Sequence, residues 1–387
     1  MQDFTYQVRT KVLFGRDTEC KVGEEIKSLG GSRVLLHFGG GSAERSGLLP
    51  RVRESLRAAG LPFVELGGVR PNPRLSLVRE GIDLCRREGV DFLLAVGGGS
   101  VLDSAKAIGL GLFHPETDVW EFYERRATAR GSTPLGVVLT IPAAGSETSE
   151  SSVITNEDGR KKRGYSTPFN RPLFAAMNPA LCATLPPHAL ACGVADIMMH
   201  TLDRYLVTEE RSHLTDKFAE ALLRDVIEFA PRAVRDPADY EAMSELLWAG
   251  SLSHNGLTGL GNKTDFAVHA LGHELSGLFD ATHGATLTAV WGSYWRYVMD
   301  ANPGRVARYA REVWGLSTAE EGICKTEAFW QSLGLPVSIP ELLGRPVTEE
   351  EIGEMAVKST FFGRRKVGVF KPLEVSDLER IYRLANR

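Results

Sequence analysis

Two short apolar runs in this chain end in the same four residues, and that repetition limits the folds open to it. Arg33-Val-Leu-Leu-His-Phe38 leads into Gly39-Gly-Gly-Ser42, and Asp91-Phe-Leu-Leu-Ala-Val96 leads into Gly97-Gly-Gly-Ser100. Each reads as a buried strand entering a glycine turn, and after the second the pattern Val101-Leu-Asp-Ser-Ala-Lys-Ala-Ile108 opens a helix. Glycines let backbone N–H groups approach a ligand closely, and a helix N-terminus favours an anion, so such a turn suits a phosphate. The motif is neither Gly-x-Gly-x-x-Gly nor a Walker loop, and one copy alone would equally suit a tight turn with no ligand. Two copies at successive strand ends point to an extended, phosphate-bearing ligand.

The rest of the first half keeps the alternation. Strands are expected at 34–38, 63–66, 92–96 and 135–141, with helices at 49–59 and 75–88 closed by Gly60 and Gly89. Near Asn178-Pro-Ala-Leu-Cys-Ala-Thr-Leu-Pro-Pro187 the texture changes to almost continuous helical periodicity. The expected architecture is an α/β N-terminal domain over 1–184, a doubly wound, Rossmann-like parallel sheet, followed by an all-α domain over 185–387.

The second half holds a candidate metal site. Asp196 and His200 are four apart in Ala195-Asp-Ile-Met-Met-His200, so on a helix they share a face. His269 begins a second such pair with His273, and His283 follows just past the expected end of that helix. Two helices would then supply Asp196, His200, His269 and His283. Imidazoles with a carboxylate and no thiolate suit iron(II), zinc(II), manganese(II) or cobalt(II) better than calcium or a soft ion. Either pair alone occurs by chance on many helices, but four of the nine histidines, His200, His269, His273 and His283, fall in this one pattern. The zinc-protease signature needs Glu beside the first histidine; here Glu274 follows the second. Trp291, Tyr294, Trp295 and Tyr297, at spacings of three and four, read as helix packing.

These stretches carry a family likeness. Gly97-Gly-Gly-Ser-Val-Leu-Asp-Ser-Ala-Lys106, Thr140-Ile-Pro-Ala-Ala-Gly-Ser-Glu147, Ala195-Asp-Ile-Met-Met-His200, and Gly261-Asn-Lys-Thr-Asp-Phe-Ala-Val-His-Ala-Leu-Gly-His-Glu-Leu275 with Thr282-His-Gly284 resemble the iron-containing (group III) alcohol dehydrogenases, most of all their butanol dehydrogenase and aldehyde reductase branch. The resemblance runs over nearly the whole chain. It implies metal ligands at Asp196, His200, His269 and His283, and a pyrophosphate cradle at Gly97, Gly98, Gly99 and Ser100. It also implies Asp103 near the nicotinamide and ribose, Thr140 and Ser146 along the cofactor, Lys162 at the nicotinamide ribose, and His273 beside the nicotinamide without binding metal. Asp103 and His273 are the candidate catalytic residues. Iron(II) is the first candidate ion and zinc(II) the second.

One departure bears on the cofactor. Where relatives that prefer NAD place an aspartate after the second strand, this chain has Gly39, Gly40, Gly41 and Ser42, with Arg45 close behind. Removing a carboxylate removes repulsion against a 2′-phosphate, and a nearby cation attracts it, so NADP is expected ahead of NAD. Arg45 could equally be a solvated surface charge.

The implied function is reversible hydride transfer between NADP(H) and a primary alcohol or aldehyde. The rival readings are a non-redox relative acting on a phosphorylated or cyclitol substrate, and a non-catalytic metal or nucleotide binder. Composition fits an ordinary soluble enzyme: 387 residues, 43% hydrophobic, 24% charged. A net charge of -4 argues against a general nucleic-acid or anionic-membrane partner. No apolar run is long enough to span a bilayer, and Met1-Gln-Asp-Phe-Thr-Tyr6 lacks a signal pattern, so a cytoplasmic enzyme is expected. The five scattered cysteines are expected to stay reduced. A homodimer follows from the resemblance, with a strand near Gln7 to Phe14 as a candidate pairing edge.

Overall fold

The computed structural model describes residues 3–208, 212–261 and 263–387. The chain forms two compact units, one from Gln7–Leu185 with Pro237–Leu247, the other from Met1–Tyr6, Pro186–Asp236 and Trp248–Arg387.

In chain order the first unit contains β1 (Lys11–Phe14), α1 (Val22–Ser28), β2 (Val34–Phe38), α2 (Ser42–Arg45), α3 (Leu48–Ala58), β3 (Phe63–Leu66) and α4 (Leu75–Glu88). It continues with β4 (Phe92–Gly97), α5 (Gly99–Phe113), α6 (Trp120–Tyr123), β5 (Leu135–Leu139), β6 (Ser151–Asn156), β7 (Lys161–Ser166) and β8 (Phe174–Met177). Six strands make one sheet in the order β1-β8-β5-β4-β2-β3, every neighbour parallel. β4 is buried along its whole length because it is a central parallel strand covered on both faces. α3 and α4 run out into Gly60 (φ 71°) and Gly89 (φ 65°), left-handed positions that a residue without Cβ fills at little cost.

This order places the sheet's reversal between β2 and β4. The chain leaves β2 outward to β3, then returns to the other side of β2 with β4 and β5. Phe38 is in register with Val96, Val96 with Val138, and Gly97 with Leu139, so both glycine turns and Thr140 follow neighbouring strand ends. In open α/β sheets, ligands bind at that edge and that reversal.

Three expectations need correction. β5 stops at Leu139 rather than Ile141: the Thr140 N–H still reaches the Gly97 carbonyl, but Pro142 has no N–H to continue a ladder. β1 covers only Lys11–Phe14 of the expected Gln7 to Phe14 strand, and is an edge strand of the sheet, paired with β8 from Lys11↔Phe174 to Phe14↔Met177. The antiparallel hairpin β6–β7 was not expected at all, since Ser-Ser-Val-Ile-Thr-Asn and Lys-Lys-Arg-Gly-Tyr-Ser carry no apolar run.

The second unit is helical as expected: α7 (Pro187–Tyr205), α8 (His213–Arg235), α9 (Tyr240–His254, entering from the first unit's residues), α10 (Ala267–Phe279) and α11 (His283–Val298). α12 (Pro303–Trp314), α13 (Ala319–Ser332), α14 (Ile339–Leu343), α15 (Glu349–Ser359) and α16 (Val375–Ala385) follow. Trp291, Tyr294 and Trp295 of α11 are fully buried, with Trp291 4.7 Å from Trp295 and 4.9 Å from Trp330 between ring centres, so these aromatics are helix packing.

Candidate functional site

α7, α10 and α11 bring four side chains together. Asp196 and His200 sit one turn apart on α7, His269 lies in the first turn of α10, and His283 is the first residue of α11. Ligand-type atoms of Asp196, His200 and His269 all lie within 4.8 Å of one another. Asp196 Oδ1 is 3.5 Å from His200 Nδ1, 3.6 Å from His269 Nε2 and 3.9 Å from His283 Nε2. The expectation of two helices is corrected to three. Asp280, left-handed at φ 55°, ends α10, and the chain turns through Ala281 and Thr282 into α11.

Close backbone approach makes this possible. A Cβ on Gly284 would lie 2.1 Å from the Cys192 carbonyl oxygen of α7, so only glycine lets α11 begin there. A Cβ on Gly272 would meet Leu287 at 2.8 Å, which draws α10 and α11 together in the same way.

The site is polar, buried and unsatisfied by the protein alone. Asp196 Oδ1, His200 Nδ1 and His269 Nε2 are buried, converge, and have no hydrogen-bond partner among the described residues. Leaving such groups unpaired costs about 1–3 kcal/mol each, so the arrangement fits a cation that takes lone pairs from all of them. Three imidazoles and one carboxylate suit a divalent transition ion.

The surroundings set the imidazole states. His269 Nδ1 lies 2.6 Å from Asp203 Oδ2, and a carboxylate only accepts, so Nδ1 carries a proton and Nε2 is the nitrogen left to face Asp196. Burial pushes the His269 imidazole down in pKa, but Asp196 and Asp203 together outweigh it and the net shift is upward. Burial, with His254, His269 and Arg204 adding to it, holds His200 well below the ordinary imidazole range.

Asp265 fixes the start of α10. Its N–H donates to the Asp203 carbonyl (3.0 Å), and its carboxylate accepts from Tyr294 Oη, Val369 N and Phe370 N at 2.5–2.8 Å. His273, half-buried one turn after His269, lies 5.1 Å from His283 between ring centres.

The α/β unit holds the other candidate residues. Gly97 and Gly98 are packing requirements as well as turn residues: a Cβ on Gly97 would lie 2.5 Å from Val101, and one on Gly98 2.5 Å from Ile141. α5 starts at Gly99 with no acidic residue in its first turn, so its N-terminal partial charge is not neutralised locally. Asp103 Oδ1 accepts from Ser146 Oγ (2.7 Å) and Oδ2 from the Val153 N–H (3.0 Å), so both carboxylate oxygens are engaged by the protein. Burial pushes its pKa up, against the pull of Lys106, Ser146, Val153 and Lys162. Lys162, buried on β7, donates to Asn72 Oδ1 (2.9 Å). Ser42 and Arg45 bound the short helix α2; Arg45 is exposed, and its Nη1 lies where a Cβ on Gly41 would be only 2.6 Å away, so its guanidinium folds back toward Gly41 at the end of the turn.

Sequence reasoning missed several residues here. Lys106, buried on α5, donates to the carbonyls of Ser146 (2.6 Å), Ser149 (3.1 Å) and Ser151 (2.8 Å) and to Ser146 Oγ (2.8 Å), pinning that loop; burial lowers its pKa to about 8. A lysine as the one cation of a mostly apolar helix was the available signal. Asp203, Arg204 and His254 were also missed; the first two continue the Asp196 and His200 face of α7, whereas nothing local marks His254.

Comparison with known proteins agrees along the whole chain. The family described as iron-containing alcohol dehydrogenase matches residues 9–179, and the C-terminal region of the Fe-containing alcohol dehydrogenase family matches residues 190–386. NADH-dependent butanol dehydrogenase A of Clostridium acetobutylicum is 34% identical over 391 residues, covering 99% of each chain. NADPH-dependent aldehyde reductase YqhD of Escherichia coli is 34% identical, covering 88% of this chain and 89% of the relative. The crystal structure of NADH-dependent butanol dehydrogenase A from Thermotoga maritima superposes with a TM-score of 0.96 at 32% identity, covering 100% of this chain and 99% of the other. With both halves matched and the buried Asp196, His200 and His269 cluster in place, this chain belongs to the iron-containing alcohol dehydrogenase family.

Proposed function

We propose that this chain is a metal-dependent oxidoreductase that moves hydride reversibly between NADP(H) and a primary alcohol or aldehyde, with short to medium linear aldehydes as its substrate class. The observation that carries the reading is the convergence of Asp196 Oδ1, His200 Nδ1 and His269 Nε2, buried and without hydrogen-bond partners among the described residues. Asp196, His200, His269 and His283 would hold one divalent ion, iron(II) ahead of zinc(II).

The bound ion supplies a Lewis acid for the substrate oxygen, and the nicotinamide supplies or accepts the hydride. The chain's own residues do the rest. Asp203 keeps the His269 proton on Nδ1 and so keeps Nε2 available as a ligand. Gly97, Gly98, Gly99 and Ser100, at the start of α5, take the pyrophosphate, and Gly39 to Ser42 at the neighbouring strand end, with Arg45, take the adenosine ribose and its 2′-phosphate. Lys162, oriented by Asn72, reaches the nicotinamide ribose. Asp103 orders the same region through Ser146, which lines the cofactor with Thr140. His273 gives a proton to the alcohol oxygen in reduction and recovers it in oxidation.

The choice of NADP over NAD rests on Arg45 and the carboxylate-free turn beneath it. Relatives named for NADH and for NADPH occur at the same 34% identity, so family membership leaves this choice open.

The test is consumption of NADPH and, separately, NADH by the purified protein with butanal, before chelation, after it, and after adding back iron(II) or zinc(II). Metal-dependent turnover favouring NADPH is expected. A preference for NADH overturns the 2′-phosphate argument alone; no turnover with either cofactor and any metal overturns the proposed activity.

A further inference from the structure

His254, the last residue of α9, lies against the proposed metal site although no spacing in the sequence ties it there. Its ring centre is 3.9 Å from that of His200, with 43° between the planes. On His200 the neighbouring ring of His269 is 4.5 Å away at 28°, so two imidazoles border it. Arg204, buried one turn after His200 on α7, ties the group together. Its Nη1 donates to the carbonyls of His200 (2.8 Å) and Ser253 (3.1 Å), and its Nη2 to His254 Nδ1 (3.0 Å). Phe266 packs on the Arg204 guanidinium at 4.7 Å, and a Cβ on Gly259 would lie 3.1 Å from Arg204 Cδ, so the arginine is closely held.

A guanidinium only donates, so Nδ1 of His254 must be the lone-pair nitrogen and the neutral ring carries its proton on Nε2. That bond fixes the orientation of His254, and His254 in turn limits the swing of His200. His269 is anchored by Asp203 on the nitrogen opposite the one that faces Asp196, whereas His200 Nδ1 itself faces Asp196, and the neighbouring rings of His254 and His269 restrict the plane of His200.

We propose that His254, locked by Arg204, is a positioning residue that sets the imidazole plane of His200 for metal binding. This inference rests on the proposed metal site, and the experiment separates the two.

Cobalt(II) is the probe, since its visible absorption reports ligand geometry and its affinity can be measured by competition with a chelator. Binding of one cobalt(II) by the wild-type chain is expected; its failure sinks the metal reading itself. Given that binding, His254→Ala removes the ring, and His254→Phe keeps the packing volume but leaves Arg204 without its acceptor. Each is expected to bind cobalt(II) on the order of 10-fold more weakly, with displaced absorption bands, at unchanged far-UV circular dichroism. Should the alanine variant not fold, the phenylalanine variant decides alone. Affinity within about twofold of wild type, with the same bands, in a folded variant would overturn the role given to His254.

Discussion

His269 Nδ1 and Asp203 Oδ2 are 2.6 Å apart, with the aspartate side chain wholly buried. A carboxylate so placed orients the ring and raises its basicity toward an ion on the other nitrogen. Asp203→Asn keeps the shape and removes the charge. Metal affinity, read by chelator competition, is expected to fall about 10- to 100-fold, and equal affinity would remove Asp203 from the site.

The two histidines of α10 should separate cleanly. His269→Ala is expected to lose metal and turnover together. His273→Ala should keep its metal, measured by elemental analysis, while kcat falls about 10²- to 10⁴-fold, the usual worth of a positioned proton donor. Metal retained in the first variant, or lost in the second, contradicts this division.

Arg45 tests the cofactor. An exposed guanidinium meeting a 2′-phosphate contributes roughly 1.5 kcal/mol, so Arg45→Ala should raise the KM for NADPH about 10-fold. The KM for NADH should hardly move. Parallel changes for both cofactors would mean that Arg45 acts on something they share.

His37 gives a pH signature of the α/β unit. It is buried on β2, with Nδ1 2.8 Å from the Leu66 carbonyl and Nε2 2.9 Å from Ser104 Oγ. Burial lowers its pKa from 6.5 to about 4, only partly offset by the Leu66 carbonyl. Between those values the unfolded chain binds the extra proton, so this contribution is full above pH 6.5 and is lost as pH falls toward 4. From pH 7 to pH 5 the loss is on the order of 2 kcal/mol. In thermal denaturation, His37→Leu should show a smaller drop in Tm than wild type over that interval; equal drops would mean His37 is not the titrating group.

The legible parts of the fold were those that local pattern determines. Val34–Phe38 and Phe92–Val96 could be read because an apolar run between polar flanks has few alternatives, and α4 because its stripe ends on Gly89. β6 and β7 stayed hidden because polar strands signal nothing until they pair. Within the site, helical spacing puts Asp196 and His200 on one face, but it says nothing about α9 reaching them. Hence His254 and the role of Arg204 became visible only once tertiary contacts were in view. Asp103 shows the converse: its motif is plain in the sequence, yet the engagement of both its oxygens by Ser146 and Val153 is a tertiary fact.

Gly284 carries a last consequence. Because α11 starts against the Cys192 carbonyl, His283 is placed by the seating of one helix on another and not by a pliant loop. If His283 shares the ion with α7 and α10, the ion rivets three helices, and its binding energy adds to the cohesion of the helical unit by mass action. The melting curve of a preparation would then serve as a gauge of its metal loading, and a sample stripped during purification would announce itself by heat before any turnover was measured.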